Sequence, residues 1–77
     1  MLPSFVTRLE RLNYLIHIKA TGNPKKLSHR LNVSERSLYE YISLLRSLGA
    51  PVQYDHIRET YFYDNGFCFS FRFRKMQ

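Results

Sequence analysis

A single cysteine, Cys68, stands in this chain of 77 residues. It leaves no internal disulfide to form, and one thiol with three scattered histidines has no zinc-ligand spacing. Neither metal nor cofactor is expected. Long apolar runs are missing as well. Near the N-terminus the hydrophobic residues are interrupted by Arg8, Glu10, Arg11 and Asn13, which argues against a signal peptide or a membrane span. A cytoplasmic protein without a membrane partner is the expectation. Glycine is scarce, at three residues, and none belongs to a phosphate-cradling loop. His17, His29 and His56 pair with Cys68 in no catalytic motif, so the chain is not read as an enzyme. Repeats, linkers and low-complexity tracts are absent too, which points to one folded domain. A domain this small buries only about two-thirds of the surface its unfolded chain exposes.

Acidic residues are also few. Six Asp and Glu face twelve Lys and Arg, for a net charge of +6 and a pI near 9.8. Such an excess favours a polyanionic partner, with nucleic acid ahead of an anionic membrane.

Against this background the order of elements is readable. Ser4 is placed to cap a first helix, in which Phe5, Leu9, Leu12 and Ile16 form one stripe and Leu15 widens it. Asn13 falls off that stripe. Thr21-Gly22 is the expected terminator, giving a helix over about 4–20. Asn23-Pro24 reads as an N-cap followed by proline at the first helical position, opening a short helix over 24–31 that carries Leu27 and Leu31. Asn32 ends it in the left-handed conformation. Val33 is expected to be buried, and Ser34 caps a third helix over 35–48 with Glu35 in its first turn. Leu38, Tyr41, Ile42, Leu45 and Leu48 share one face of that helix, and Gly49 and Pro51 stop it.

After Pro51 the apolar period becomes two. Val52/Tyr54, Tyr61/Tyr63 and Phe67/Phe69/Phe71/Phe73 predict strands over about 52–56, 60–64 and 67–73. His56 to Thr60 joins the first two, and Asp64-Asn65-Gly66 has the residue types of a tight hairpin turn. The fold class is α+β, three helices followed by a small antiparallel sheet.

A short helix that crosses a sharp turn into a longer one suits a helix-turn-helix, whose second helix enters a DNA major groove. With Leu38, Ile42 and Leu45 turned to the core, steps of roughly 100° per residue put Arg36, Glu40, Ser43 and Ser47 on the opposite face. Ser37, Tyr39 and Arg46 flank it. Such a mixed surface of donors, acceptors and one aromatic suits base edges and phosphates. Arg36 is the first candidate for reading a base, because arginine is the commonest bidentate partner of guanine. Lys25 and Lys26 lie in the first turn of the second helix, where cations are unfavourable. With the free N–H groups behind Asn23-Pro24 they form a candidate phosphate site.

The stretch "GNPKKLSHRLNVSERSLYEYISLLRSLGAPVQYD" resembles the winged helix-turn-helix of the DeoR type, seen also at the N-terminus of bacterial transcriptional regulators with a WYL domain. The resemblance covers roughly residues 8–63 and rests on Leu27-Ser28, Leu31, Val33-Ser34, the helix from Arg36 to Leu48, and Gly49-Ala50-Pro51-Val52. It implies a recognition helix over 35–48 and a wing around His56 to Thr60, within which Arg58 is the expected DNA contact by its charge and position. Taken with the readings of the helix face and of the second helix's first turn, the expected DNA-binding set is Lys25, Lys26, Ser34, Arg36, Ser37, Tyr39, Glu40, Ser43 and Arg58. Three departures stand out. Asn32 replaces the usual turn glycine, the wing has no glycine, and "NGFCFSFRFRKMQ" follows where family members carry a sensing domain. Regulation by a ligand is therefore not expected.

The function read from these residues is sequence-specific binding of double-stranded DNA in transcriptional regulation. The alternative is a winged-helix module for protein contacts, since Glu35 and Glu40 would repel phosphates. The four phenylalanines Phe67, Phe69, Phe71 and Phe73 have two readings of their own, a layer of the core or a homodimer interface. A Phe69→Asp variant separates them by sedimentation and thermal melting. Loss of folding marks the core role, and a folded monomer from a native dimer marks the interface.

Overall fold

The structure, a computed structural model, describes residues 4–67. Three helices come first: α1 (Ser4–His17), α2 (Pro24–Leu31) and α3 (Glu35–Ser47). Strands β1 (Val52–Asp55) and β2 (Thr60–Tyr63) follow as a two-stranded antiparallel sheet, and a 3-10 turn spans Asp64–Gly66. The pairing is Val52 with Tyr63, Gln53 with Phe62, Tyr54 with Tyr61, and Asp55 with Thr60. The α+β class and element order follow the expectation. Each strand ends one residue sooner than expected, because the loop begins at His56 and the chain leaves β2 at Asp64. The expected third strand, 67–73, lies outside the described residues after Phe67. Phe67 is half-buried against the core, edge-to-face with Tyr63 at 5.3 Å.

All three helices stop in the same way. The N–H groups of Ala20, Val33 and Ala50 reach back to the carbonyls of Leu15, Ser28 and Leu45, each at 3.0 Å. Just before each donor sits a left-handed residue, respectively Lys19 (φ 58°), Asn32 (φ 56°) and Gly49 (φ 97°). This is the Schellman arrangement, which satisfies carbonyls the helix leaves open. Asn32 and Gly49 do what their residue types predict. For α1 the expectation is corrected: the helix ends at His17, because the left-handed residue that closes it is Lys19, while Gly22, also left-handed (φ 76°), lies beyond the closing bond. α3 likewise ends at Ser47, and Leu48, expected on the core face, is 52% exposed.

The core is a single cluster. Leu9, Leu12 and Ile16 of α1 meet Leu27 and Leu31 of α2, Leu38, Ile42 and Leu45 of α3, and Ala50, Val52, Tyr61 and Tyr63. Two further expectations change at its edge. Phe5 is exposed and meets Tyr41 at 5.4 Å, and Val33 is half-buried instead of fully covered. Asn13, placed off the apolar stripe by its polarity, is buried, and its Oδ1 accepts a hydrogen bond from Tyr63 Oη at 2.6 Å.

What fixes the sheet to the helices is a second polar contact. Thr21, completely buried, lies between α1 and α2. Its Oγ1 accepts from Tyr61 N at 2.8 Å, and its own N–H donates to Thr60 Oγ1 at 3.2 Å. The two threonine hydroxyls are 3.1 Å apart. Thr21 thus does for β2 what a neighbouring strand would do. On the other side Arg46 of α3 donates through Nε and Nη2 to the Val52 carbonyl at 3.2 and 3.1 Å.

A Thr21→Val variant keeps the shape but leaves the Tyr61 N–H unpaired inside the protein. The expected loss is about 1–3 kcal/mol of folding stability, read from urea midpoints. An unchanged midpoint would show that this clip is not holding the sheet.

Candidate functional site

α2 and α3 meet through the short connection Asn32 to Ser34. At its far side Asn23 caps α2, its Oδ1 accepting from Lys26 N at 2.9 Å. Ser34 caps α3, its Oγ accepting from Ser37 N at 3.1 Å and donating to Ser37 Oγ at 3.2 Å. The two serines thus hold each other across the first turn of α3. Two of the candidate contact residues, Ser34 and Ser37, are engaged in this cap.

With those two committed, α3 presents Arg36, Tyr39, Glu40 and Ser43 to solvent. They line a shallow depression of about 610 Å³. Their steps of three, one and three residues make one stripe along the helix, so the structure brings together four of the residues selected from sequence. Arg46, a flanking residue in the helical projection, is instead tied to Val52.

Lys25 and Lys26 are exposed at the start of α2, as expected. Their surroundings hold an anion that sequence reading missed. Asn23 Nδ2 donates to Glu59 Oε1 at 3.3 Å, so the β1–β2 loop brings a carboxylate to this helix start. A negative charge here is favoured by the helix dipole and offsets the two lysines. The same contact would compete with an incoming phosphate.

The loop of residues 56–59 is built without glycine. Asp55 Oδ1 accepts from Ile57 N at 2.9 Å and Arg58 N at 3.1 Å, an Asx-type turn that orders the tip. Glu59 takes the left-handed conformation (φ 53°) that glycine usually supplies. The backbone N–H of Arg58, followed by that of Ile57 and by the charges of Arg58 and His56, holds the Asp55 carboxyl below its ordinary range, although burial acts in the other direction. Arg58 stands out from the loop, its side chain 73% exposed and its Nε 4.0 Å from Asp55 Oδ2. Ile57 at the tip is almost wholly exposed.

Between α3 and the hairpin lies a second concavity, of about 520 Å³, which the sequence did not disclose. Tyr39, Ser43 and Arg46 line it from α3, Tyr54, His56 and Tyr61 from the hairpin, and Pro24 from α2. Tyr54 meets Tyr61 and His56 edge-on, each at 4.8 Å. The available signal is the strand register, since Tyr54 and Tyr61 are direct cross-strand partners, close enough for their rings to touch. Burial, helped by Tyr39 and Tyr54, pushes the Tyr61 hydroxyl up to about 12. Tyr54 moves the same way, through burial and then the charges of Glu59 and Asp55.

Among the described residues no helix is long and apolar enough to cross a membrane, and no group of three or more His, Cys, Asp or Glu is placed to hold a metal ion. No family model matches the chain, and no curated protein or solved structure matches it.

The Tyr61 shift has a consequence for stability. A hydroxyl raised from 10.0 to about 12 by folding leaves stability whole below pH 10. Above that value the unfolded chain ionises first, and stability falls until the folded form ionises too. A Tyr61→Phe variant is expected to lose less stability than the parent between pH 10 and 12, as followed by denaturant midpoints. Parallel losses in both proteins would show that Tyr61 does not titrate this way.

Proposed function

We propose that this domain is a winged helix-turn-helix that binds double-stranded DNA in a sequence-specific manner and serves in transcriptional regulation. α3 lies in the major groove, and the loop of residues 56–59 is the wing. The observation that carries the reading is the stripe of Arg36, Tyr39, Glu40 and Ser43, exposed on the helix that follows a capped short helix and a left-handed turn. A stripe of this composition offers a guanidinium, a carboxylate, a hydroxyl and an aromatic ring to base edges. The net charge of +6 supplies the sequence-independent attraction.

Glu59 favours the rival reading. A carboxylate at the start of α2, together with Glu35 and Glu40 on α3, is a surface on which a protein partner with basic residues could rest. Anisotropy titration against a randomised duplex pool at two salt concentrations, with sequencing of the bound fraction, separates the two. Salt-sensitive binding with an enriched motif is the expected result. Absence of binding at low salt would hand the site to a protein partner.

Within the DNA reading the side chains have different duties. Arg36→Ala is expected to relax preference at one base position, by about 1–3 kcal/mol of discrimination. Lys25→Ala with Lys26→Ala should weaken binding to every sequence and reduce the salt slope by roughly 0.9 for each phosphate that is no longer neutralised. Uniform losses across sequences for all three substitutions would sink the assignment of Arg36.

A further inference from the structure

We infer that the recess between α3 and the hairpin is a stacking site for one unpaired nucleobase, so that the domain prefers duplex DNA carrying an extrahelical nucleotide to uninterrupted duplex. The inference rests on the DNA-binding reading and adds a second mode of contact to it. The volume, about 520 Å³, lies within the range of small-ligand sites, about 300–1,000 Å³. Four ring systems line it, those of Tyr39, Tyr54, His56 and Tyr61. Aromatic side chains are the platforms on which unpaired bases stack in single-strand binding proteins, because every base has a π-face.

Polar groups are arranged among these rings. The phenol groups of Tyr39, Tyr54 and Tyr61 all line the recess, close enough that Tyr39 and Tyr54 help to raise the Tyr61 hydroxyl. Each phenol hydroxyl is a donor and an acceptor for a base edge. Ser43 adds a hydroxyl. Arg46 commits Nε and Nη2 to the Val52 carbonyl, which leaves Nη1 for a ligand.

Charge narrows the choice of occupant. Glu59 and Asp55 lie close enough to Tyr54 for their fields to reach its hydroxyl. On the hairpin side these carboxylates disfavour an anion, and on the α3 side Arg46 disfavours a cation, so a neutral planar base is the occupant that meets neither penalty. Position points the same way. Tyr39 and Ser43 line both the depression along α3 and the recess. A base swung out of a duplex lying on α3 therefore passes from one concavity into the other.

The test uses the full chain and two labelled duplexes that differ only by one bulged 2-aminopurine. Stacking on aromatic side chains predicts that the bulged duplex binds about fivefold to a hundredfold more tightly, with a fall in 2-aminopurine emission on binding. Tyr54→Leu, checked for folding by thermal melting, should erase the preference and the fall in emission while intact-duplex affinity stays within about twofold. Equal affinities and unchanged emission, with intact-duplex binding preserved, would overturn the recess and leave the DNA reading standing. Persistence of both effects in Tyr54→Leu would also overturn it. Failure to bind either duplex would overturn the DNA reading together with the recess.

Discussion

The buried contact of Thr21 with Thr60 and Tyr61 is the constraint on which the arrangement depends. A two-stranded hairpin is marginal in water by itself, and this one owes its position to three polar ties. Thr21 holds the start of β2, Asn13 holds Tyr63 at its end, and Arg46 holds the carbonyl of Val52 at the start of β1. Each tie comes from a different part of the helical layer: the α1–α2 connection, α1 and α3. The hairpin therefore has little freedom to swing against α3, and the recess between them is a built feature. Apolar packing of Val52, Tyr61 and Tyr63 supplies the larger free energy but little direction. Hydrogen bonds supply direction, because an unpaired buried group costs more than a shifted methyl.

Glycine scarcity shapes the loops in a related way. Among the described residues, four other than glycine hold left-handed backbone: Lys19, Asn32, Glu59 and Asn65. Asparagine adopts this conformation readily, but lysine and glutamate do so at a cost of about 1–2 kcal/mol. At Glu59 the conformation coincides with a specific contact, since the carboxylate reaches the side chain that caps α2. Charge and backbone strain thus meet at one residue, between the hairpin loop and the helix start. The hairpin and the α1–α2 connection are coupled there on the surface, as Thr21 couples them inside.

The parts of the fold that are legible from sequence are those specified locally. Asn23-Pro24, Asn32, Ser34 and Gly49 act within a turn of the helix they bound, Asn23 and Ser34 through side-chain caps and Asn32 and Gly49 through left-handed backbone, and all four behave as their residue types require. The stripe of Arg36, Tyr39, Glu40 and Ser43 is legible because helical period alone places it opposite Leu38, Ile42 and Leu45. The misreadings at Asn13 and Thr21 involve distant partners. Asn13 looks like a surface residue until Tyr63, fifty positions later, donates to it. Thr21 looks like part of a terminator until β2 arrives. Lys19 carries no intrinsic signal for left-handed backbone, so sequence alone makes α1 too long. The recess escapes for the same reason, since its lining comes from three separated segments that only the tertiary fold brings together.

If α3 enters a major groove as proposed, the geometry also limits what one copy of the domain would read. From Arg36 to Ser43 the stripe spans about 10 Å of helix, which matches roughly three base pairs at about 3.4 Å each. Ser34 and Ser37 are engaged in capping and add little beyond it. Bidentate contacts discriminate by about 1–3 kcal/mol apiece, and four side chains sharing three base pairs make no more than one or two of them. Sequence-specific DNA binders separate their sites from bulk DNA by about 4–10 kcal/mol. On the proposed reading, α3 alone therefore falls short of the upper part of that range. The rest has to come from outside the helix: from Arg58 and the hairpin loop on the flanking groove, from a distorted or unpaired nucleotide held in the aromatic recess, or from a second copy on a paired half-site. Because the hairpin is clamped to the helices by Thr21, Asn13 and Arg46, the first two of these are coupled to α3, and contacts made by one dictate the register of the other.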